Sequence, residues 1–172
     1  MPLRLKAWLA DRAIRNVVEL DWGESTTVGP LTITSTPVQH FSGRTAIDQG
    51  RRLWTSWLVT GSKRFYFAGD AAYSGHFREI GDAYGPIDLA AMPIGSYTPR
   101  PTARVVHLSP EEALQAWLEL RATRFVAMHW GTFTLSEEPS DEPPGLLAAD
   151  AARRGIDPAA IWVLPPGETR AW

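Results

Sequence analysis

Three side chains able to bind a cation stand at comparable points of the chain: His40 in "PVQHFSGR", Asp70 in "FAGDAAYSG" and His129 in "AMHWGTF". Each falls at or just past the end of a run that reads as a strand, and each is followed by a loop containing glycine. Strand ends at one edge of a sheet converge in space however far apart they lie in sequence. Imidazole nitrogen and carboxylate oxygen suit a borderline cation such as zinc. Residue types alone leave a second reading open. An isolated histidine is more often structural, and an aspartate before small residues can simply make a turn. Asp70 is the pointed case, because a strand that devotes Phe65, Tyr66 and Phe67 to burial ends on a bare charge. Such a charge is costly to bury unless something meets it.

The elements that must hold these residues are legible in outline. "LRLKAWLADRAI" carries a short helical stripe, and "NVVELDW" reads as a strand. "GPLTITSTPVQH" is a strand with Thr32, Thr34 and Thr36 on alternate positions. "LWTSWLVTG" and "RFYFAGD", joined by the short turn "GSKR", predict a hairpin. "GHFREIGDAYG" predicts a short helix and "IDLAAMPIG" a buried strand. Ser109, Pro110 and Glu112 have the spacing of a capping box, opening a helix whose apolar face is Ala113, Leu114, Trp117, Leu118 and Leu120. "RFVAMHW" follows as a strand, "SEEPSDEPPG" as a polar loop, "GLLAADAARRG" as a helix and "AIWVLPPGE" as a last strand. Strands first, then strand–helix alternation, predict an α/β fold with a mixed sheet and no internal domain boundary.

Composition narrows the function classes. The 172 residues fit one domain, and 17 Lys+Arg against 19 Asp+Glu leave a net charge of −2. No field of one sign is available to attract nucleic acid. Cysteine is absent, which excludes disulfides and thiolate ligands. The charged start "MPLRLKAWLADRAIRN" is unlike a signal peptide, so a cytoplasmic location, with peripheral contact to a membrane, is the expectation. The eight tryptophans exceed what a small core needs, so several are expected to face a ligand or partner.

"PVQHFSGR", "FAGDAAYSGHFREIG", "MPIGSYTPR", "HLSPEEA" and "MHWGTFTLSEEP", in this order, resemble the metallo-β-lactamase superfamily. Within it they are most similar to the branch of N-acylphosphatidylethanolamine-hydrolysing phospholipase D and the ascorbate-6-phosphate lactonase type. The resemblance implies that Asp70 bridges two zinc ions, that His40 ligates one, and that His129 ligates the other. It places His107 beside the substrate as a catalytic residue, against the alternative of a surface histidine at a helix start. Tyr97 and Arg100 are candidates to hold a phosphate or carboxylate, Arg100 by a bidentate contact, with a loop salt bridge as its alternative. His76 reads as a solvated or supporting residue.

One departure is large. The HxHxDH motif that supplies the family's other ligands does not occur in these 172 residues. Residues 1–172 therefore resemble the C-terminal half of an αββα sandwich, with helices on one face of the sheet and an apolar opposite face. Trp54, Trp57 and Leu58 are candidates to line that face, covered by an N-terminal half or a second copy. The implied activity is hydrolysis of a small-molecule or phospholipid-type phosphodiester through metal-activated hydroxide. A lactonase-type hydrolase and a non-catalytic half-domain or partner subunit are the alternatives.

Overall fold

Side chains alternate across a strand, so pairing register decides which residues share a face. The computed structural model describes every residue except 44 and 46. Among the described residues seven strands form one sheet in chain order: β1 (Ser25–Val28), β2 (Leu31–Thr36), β3 (Ser56–Thr60), β4 (Arg64–Phe67), β5 (Ile87–Pro93), β6 (Ala122–Met128) and β7 (Ile161–Trp162). Pairing is antiparallel from β1 to β4 and parallel from β4 to β7. The expected mixed α/β sheet is present, and β3 and β4 form the expected hairpin. The helices are α1 (Lys6–Ala10), α2 (His76–Tyr84), α3 (Arg100–Ala103), α4 (Pro110–Glu119) and α5 (Glu142–Arg153). Among the described residues no helix is long and apolar enough to cross a membrane.

Cross-strand register aligns Thr34, Leu58, Tyr66, Ala90 and Phe125 in one row, with Met92 opposite Ala127 beside it. This face meets Phe77 and Ile80 of α2, Ala113, Leu114 and Trp117 of α4, and Leu147 and Ala151 of α5 in the buried core. The Tyr66 hydroxyl donates to Ser56 Oγ at 2.9 Å, so its burial leaves no orphan donor. The capping box that starts α4 forms as expected. Ser109 Oγ accepts from the Glu112 amide, and the Glu112 carboxylate accepts from the Ser109 amide.

The opposite face carries Ile33, Val59, Phe65 and Leu89 in one row and Trp57, Phe67, Ala91, Val126 and Trp162 in the next. Apart from Thr26, Ser35 and Arg124, which the same register places on it, this face is apolar, as expected, and Phe67 is 40% exposed. The C-terminal tail reaches part of it: the Trp172 ring lies 6.0 Å from that of Phe65, and Arg170 lies over Trp162. Two of the three residues expected on this face are not there. Leu58 is in register with Tyr66 and points into the helix-covered core, since neighbours in a strand cannot share a face with Trp57. Trp54 precedes β3, packs against the core edge, and donates its indole N–H to the Val38 carbonyl.

Two element readings are corrected as well. Residues 16–22 are not a strand: Leu20 makes only an isolated bridge to Pro2, and the edge strand is Ser25–Val28 instead. The Pro-rich segment ends inside α5, because Pro143 and Pro144 sit in its first turn, where no intrahelical N–H bond is lost.

Candidate functional site

Strands β2, β4, β5 and β6 all run in one direction, so their C-terminal ends lie along the same edge of the sheet. His40 follows β2, Asp70 follows β4, and His129 follows β6. His107 lies on the connection from β5, between α3 and the N-cap of α4. A cavity of about 420 Å³ at this edge is lined by His40, Asp70, His107 and His129, with Thr98 and Leu135 beside them.

Local backbone contacts fix the approach of each group. Gln39 and Ala72 form an antiparallel bridge, the Ala72 amide donating to the Gln39 carbonyl at 2.8 Å, which ties the His40 loop to the Asp70 loop. Gly69, at φ 67°, turns the chain between Phe67 and Asp70 in a conformation that glycine adopts freely. His129 also has a left-handed backbone, at φ 61°, which aims its ring off the end of β6.

Each carboxylate oxygen of Asp70 faces a different histidine. Asp70 Oδ1 lies 3.3 Å from His129 Nε2, and Oδ2 lies 4.0 Å from His40 Nε2. The His107 ring stacks on that of His129 at 5.4 Å between centroids and meets the His40 ring edge-on at 5.6 Å. His107 therefore stands between the two other histidines. Burial, followed by the neighbouring His129 and His40 imidazoles, holds the His107 imidazole below its ordinary pKa. Its neutral form is favoured.

These residues fit a metal in three respects. Among the described residues the buried nitrogens His40 Nε2, His107 Nδ1 and His129 Nδ1 have no hydrogen-bond partner; of these His40 Nε2 is the one that faces Asp70, which His129 faces with its other nitrogen, Nε2. His40 Nδ1 lies 3.0 Å from the Phe41 carbonyl, so that nitrogen carries the proton and the lone pair stays on Nε2, toward Asp70. Two ligand atoms on one tetrahedral ion, each about 2.0–2.1 Å from it, stand about 3.3 Å apart. The His129–Asp70 separation matches that value, and the His40–Asp70 separation is wider. Among the described residues no three such donors crowd together closely enough to enclose an ion by themselves. The arrangement is two corners joined by one carboxylate, not a closed cage.

Tyr97 and Arg100 are not on the cavity wall. The Tyr97 hydroxyl donates to Glu142 Oε1, and burial, then this carboxylate, push its pKa up. Arg100 donates to the His107 carbonyl at 3.0 Å and pairs with Glu112. Both side chains thus make internal contacts, and for Arg100 the pairing with Glu112 is the salt-bridge alternative. His76 pairs with Glu79 at 3.1 Å, away from the cavity, in keeping with its reading as solvated. Phe41 and Glu138 were not anticipated. Phe41 stacks on the His40 ring at 4.7 Å, and Glu138 binds the backbone leaving β5.

The fold and this edge define a metallo-hydrolase architecture of the β-lactamase type. Residues 2–130 match the "Beta-lactamase superfamily domain" model, and the chain belongs to that family. It is 36% identical over 183 residues to N-acyl-phosphatidylethanolamine-hydrolyzing phospholipase D 1 of Caenorhabditis elegans, covering 94% of this chain and 51% of that protein. It is 32% identical to a metal-dependent hydrolase of Rubrobacter xylanophilus, covering 95% of this chain and 64% of that protein. The chain thus spans about half to two thirds of the length of these relatives. Among solved structures, the metallo hydrolase Igni18 of Ignicoccus hospitalis superposes with a TM-score of 0.70 at 22% identity, over 95% of this chain and 64% of that one. CmlA of Streptomyces venezuelae, a diiron β-hydroxylase, superposes with a TM-score of 0.61 at 18% identity, over 88% of this chain and 34% of that one. The family is therefore one of metal-dependent hydrolases, on a fold that also holds iron.

Proposed function

We propose that this chain contributes half of a two-metal phosphodiesterase site of the phospholipase D type, with His40 on one zinc ion, His129 on the other and Asp70 between them. The observation that carries this reading is the split presentation of Asp70, one oxygen toward each histidine. The donor set of imidazole and carboxylate suits zinc and iron alike, and zinc fits a hydrolytic reaction that needs no electron transfer. A bound zinc ion supplies Lewis acidity at a phosphoryl oxygen and acidifies a water molecule. The remaining tasks belong to the protein. Asp70 brings the negative charge that lets two cations approach each other. His40, its Nδ1 proton held by the Phe41 carbonyl, keeps its ring in one orientation. His107, neutral and set between the ligands, accepts or delivers a proton at Nδ1.

A phospholipid-type substrate is supported by the surroundings of the cavity. Phe41, Phe133 and Leu135 are exposed on the loops at its mouth, an apolar margin suited to an acyl chain and to contact with a membrane surface. The ligands missing from these residues come from a first half bearing HxHxDH, against which the apolar sheet face packs.

The test measures zinc per chain and hydrolysis of a generic phosphodiester, for the chain alone and for the chain fused to or mixed with such a first half. The expected result is weak zinc binding and little turnover alone, both raised on completion, with Asp70→Asn removing most of the turnover. A completed protein that keeps full rate as Asp70→Asn would overturn the mechanism. A lone chain holding two zinc ions and turning over briskly would overturn the half-site reading.

A further inference from the structure

Strands β5 and β6 are parallel neighbours, and both leave the sheet through a residue with a left-handed backbone: Ser96 at φ 62° and His129 at φ 61°. Neither is glycine, and such a conformation persists in other residues only where the surroundings over-determine it. The two exits are in direct contact. The Ile94 amide donates to the Met128 carbonyl at 3.1 Å, and Gly95 lies directly against the His129 carbonyl.

The group that closes this corner is Glu138. Its carboxylate, 8% exposed, accepts from the Ser96 amide at 2.6 Å, the Thr98 amide at 3.1 Å, the Thr98 hydroxyl, and the Ser136 hydroxyl at 2.7 Å. Burial would push this carboxyl up, but the donors from Thr98, Ser136 and the backbone outweigh it and hold the pKa down to about 2. Buried carboxylates are costly unless fully satisfied, and four donors satisfy this nearly buried one. Here the donors come from the two segments that lead to the site. Ser96 and Thr98 begin the connection through α3 to His107, and Ser136 belongs to the loop that starts at His129.

We propose that Glu138 is a positioning residue, whose carboxylate locks the exits of β5 and β6 together and so sets the placement of His107 and His129. It rests on the reading of those two histidines as site residues. It acts through them and does not touch the cavity's reacting groups.

The test compares wild-type chain with Glu138→Gln and Glu138→Ala, using side-chain nitrogen NMR of the histidines in metal-free protein and cobalt(II) titration in parallel. His76, on α2, is the internal control, and the Ser96 and Thr98 amides report whether the carboxylate contacts have gone. The expected result is that His107 and His129 ring signals move in both variants, His76 stays, and cobalt affinity falls about tenfold or more. Glu138→Asp, one methylene shorter, should recover part of the affinity. Ring signals of His107 and His129 that move no more than those of His76, with only a lower melting midpoint, would overturn the proposal. If wild-type protein shows no Asp70-dependent cobalt binding, the metal reading fails. The ring signals still decide the role of Glu138.

Discussion

A methyl group added to Gly95 would stand 2.1 Å from the carbonyl oxygen of His129. That separation is well inside van der Waals contact, and a carbonyl oxygen belongs to the backbone, so neither partner can rotate away. The end of β5 is thereby a template for the end of β6, and for the histidine it presents. Gly95→Ala is expected to force the two exits apart, destabilising the chain by about 1–3 kcal/mol, as overpacking typically does. It should also weaken metal binding. Gly145→Ala is the matched control: it lies in α5 with nothing within 4 Å of the added carbon. There the expected change is neutral or stabilising by up to about 1 kcal/mol. Urea melts of both variants, with a zinc titration of each, make the comparison.

Acid should loosen the same corner. The Glu138 carboxyl is held down to about 2, below the ordinary value of 4.5, by hydrogen bonds that outweigh its burial. A depressed carboxyl contributes its stability above the unfolded-state pKa and loses it as pH falls through the folded-state value. The loss therefore runs from about pH 4.5 down to about pH 2, and amounts to about 3 kcal/mol in the full limit. Chemical melts of wild type and Glu138→Gln across this range should converge toward low pH. Parallel curves from pH 7 to pH 2 would show that Glu138 is not the group being titrated.

Arg100 is expected to matter for rate without contacting substrate. Its guanidinium spans the His107 carbonyl and the Glu112 carboxylate, and Glu112 also completes the cap of α4. Removing it as Arg100→Ala frees His107, two residues before the cap. A stability loss of about 1–2 kcal/mol is expected, at the low end because the pair is partly exposed. Zinc content should be unchanged and turnover of the completed protein lower. Arg100→Lys should restore little, since an ammonium cannot reproduce the planar fork that makes both contacts. Zinc analysis and steady-state kinetics on the two variants separate a positioning role from a ligand role.

What was legible in the sequence follows the range of the interactions involved. His40, Asp70 and His129 could be grouped because each stands at a strand end, and strand direction alone carries such residues to one edge. The Ser109 cap was legible because its partner, Glu112, is three residues away. Glu138 was not: its backbone donors at Ser96 and Thr98 are 42 and 40 residues distant, and a glutamate in a polar, Pro-rich loop carries no local sign of burial. The sequence left Arg100 open between an anion contact and a salt bridge, since a cation near a site reads either way until its internal acceptors, Glu112 and the His107 carbonyl, are known. Placing Leu58 beside Trp57 on one face overlooked strand alternation, which was available in the sequence. The edge strand at Ser25–Val28 was hidden by its polar composition, whereas the more apolar residues 16–22 drew the assignment.

The apolar sheet face provides the last prediction. Phe67 stands at its centre, in register with Trp57 on one side and Ala91 on the other, and is 40% exposed. It belongs to the row opposite the core, so replacing it should leave packing against α2, α4 and α5 intact. If a first half bearing HxHxDH covers this face, Phe67→Asp would bury a charge in the contact, at a heavy cost. The expected outcome is an association with that half at least tenfold weaker, about 1.4 kcal/mol or more, while the chain's own melting midpoint shifts little. Sedimentation of the chain alone distinguishes the other occupant: a wild-type dimer that becomes monomeric as Phe67→Asp would mean that a second copy covers the face. Undiminished binding of the first half by Phe67→Asp would show that the two halves meet elsewhere, and the stacked-sheet reading of this chain would fall with it.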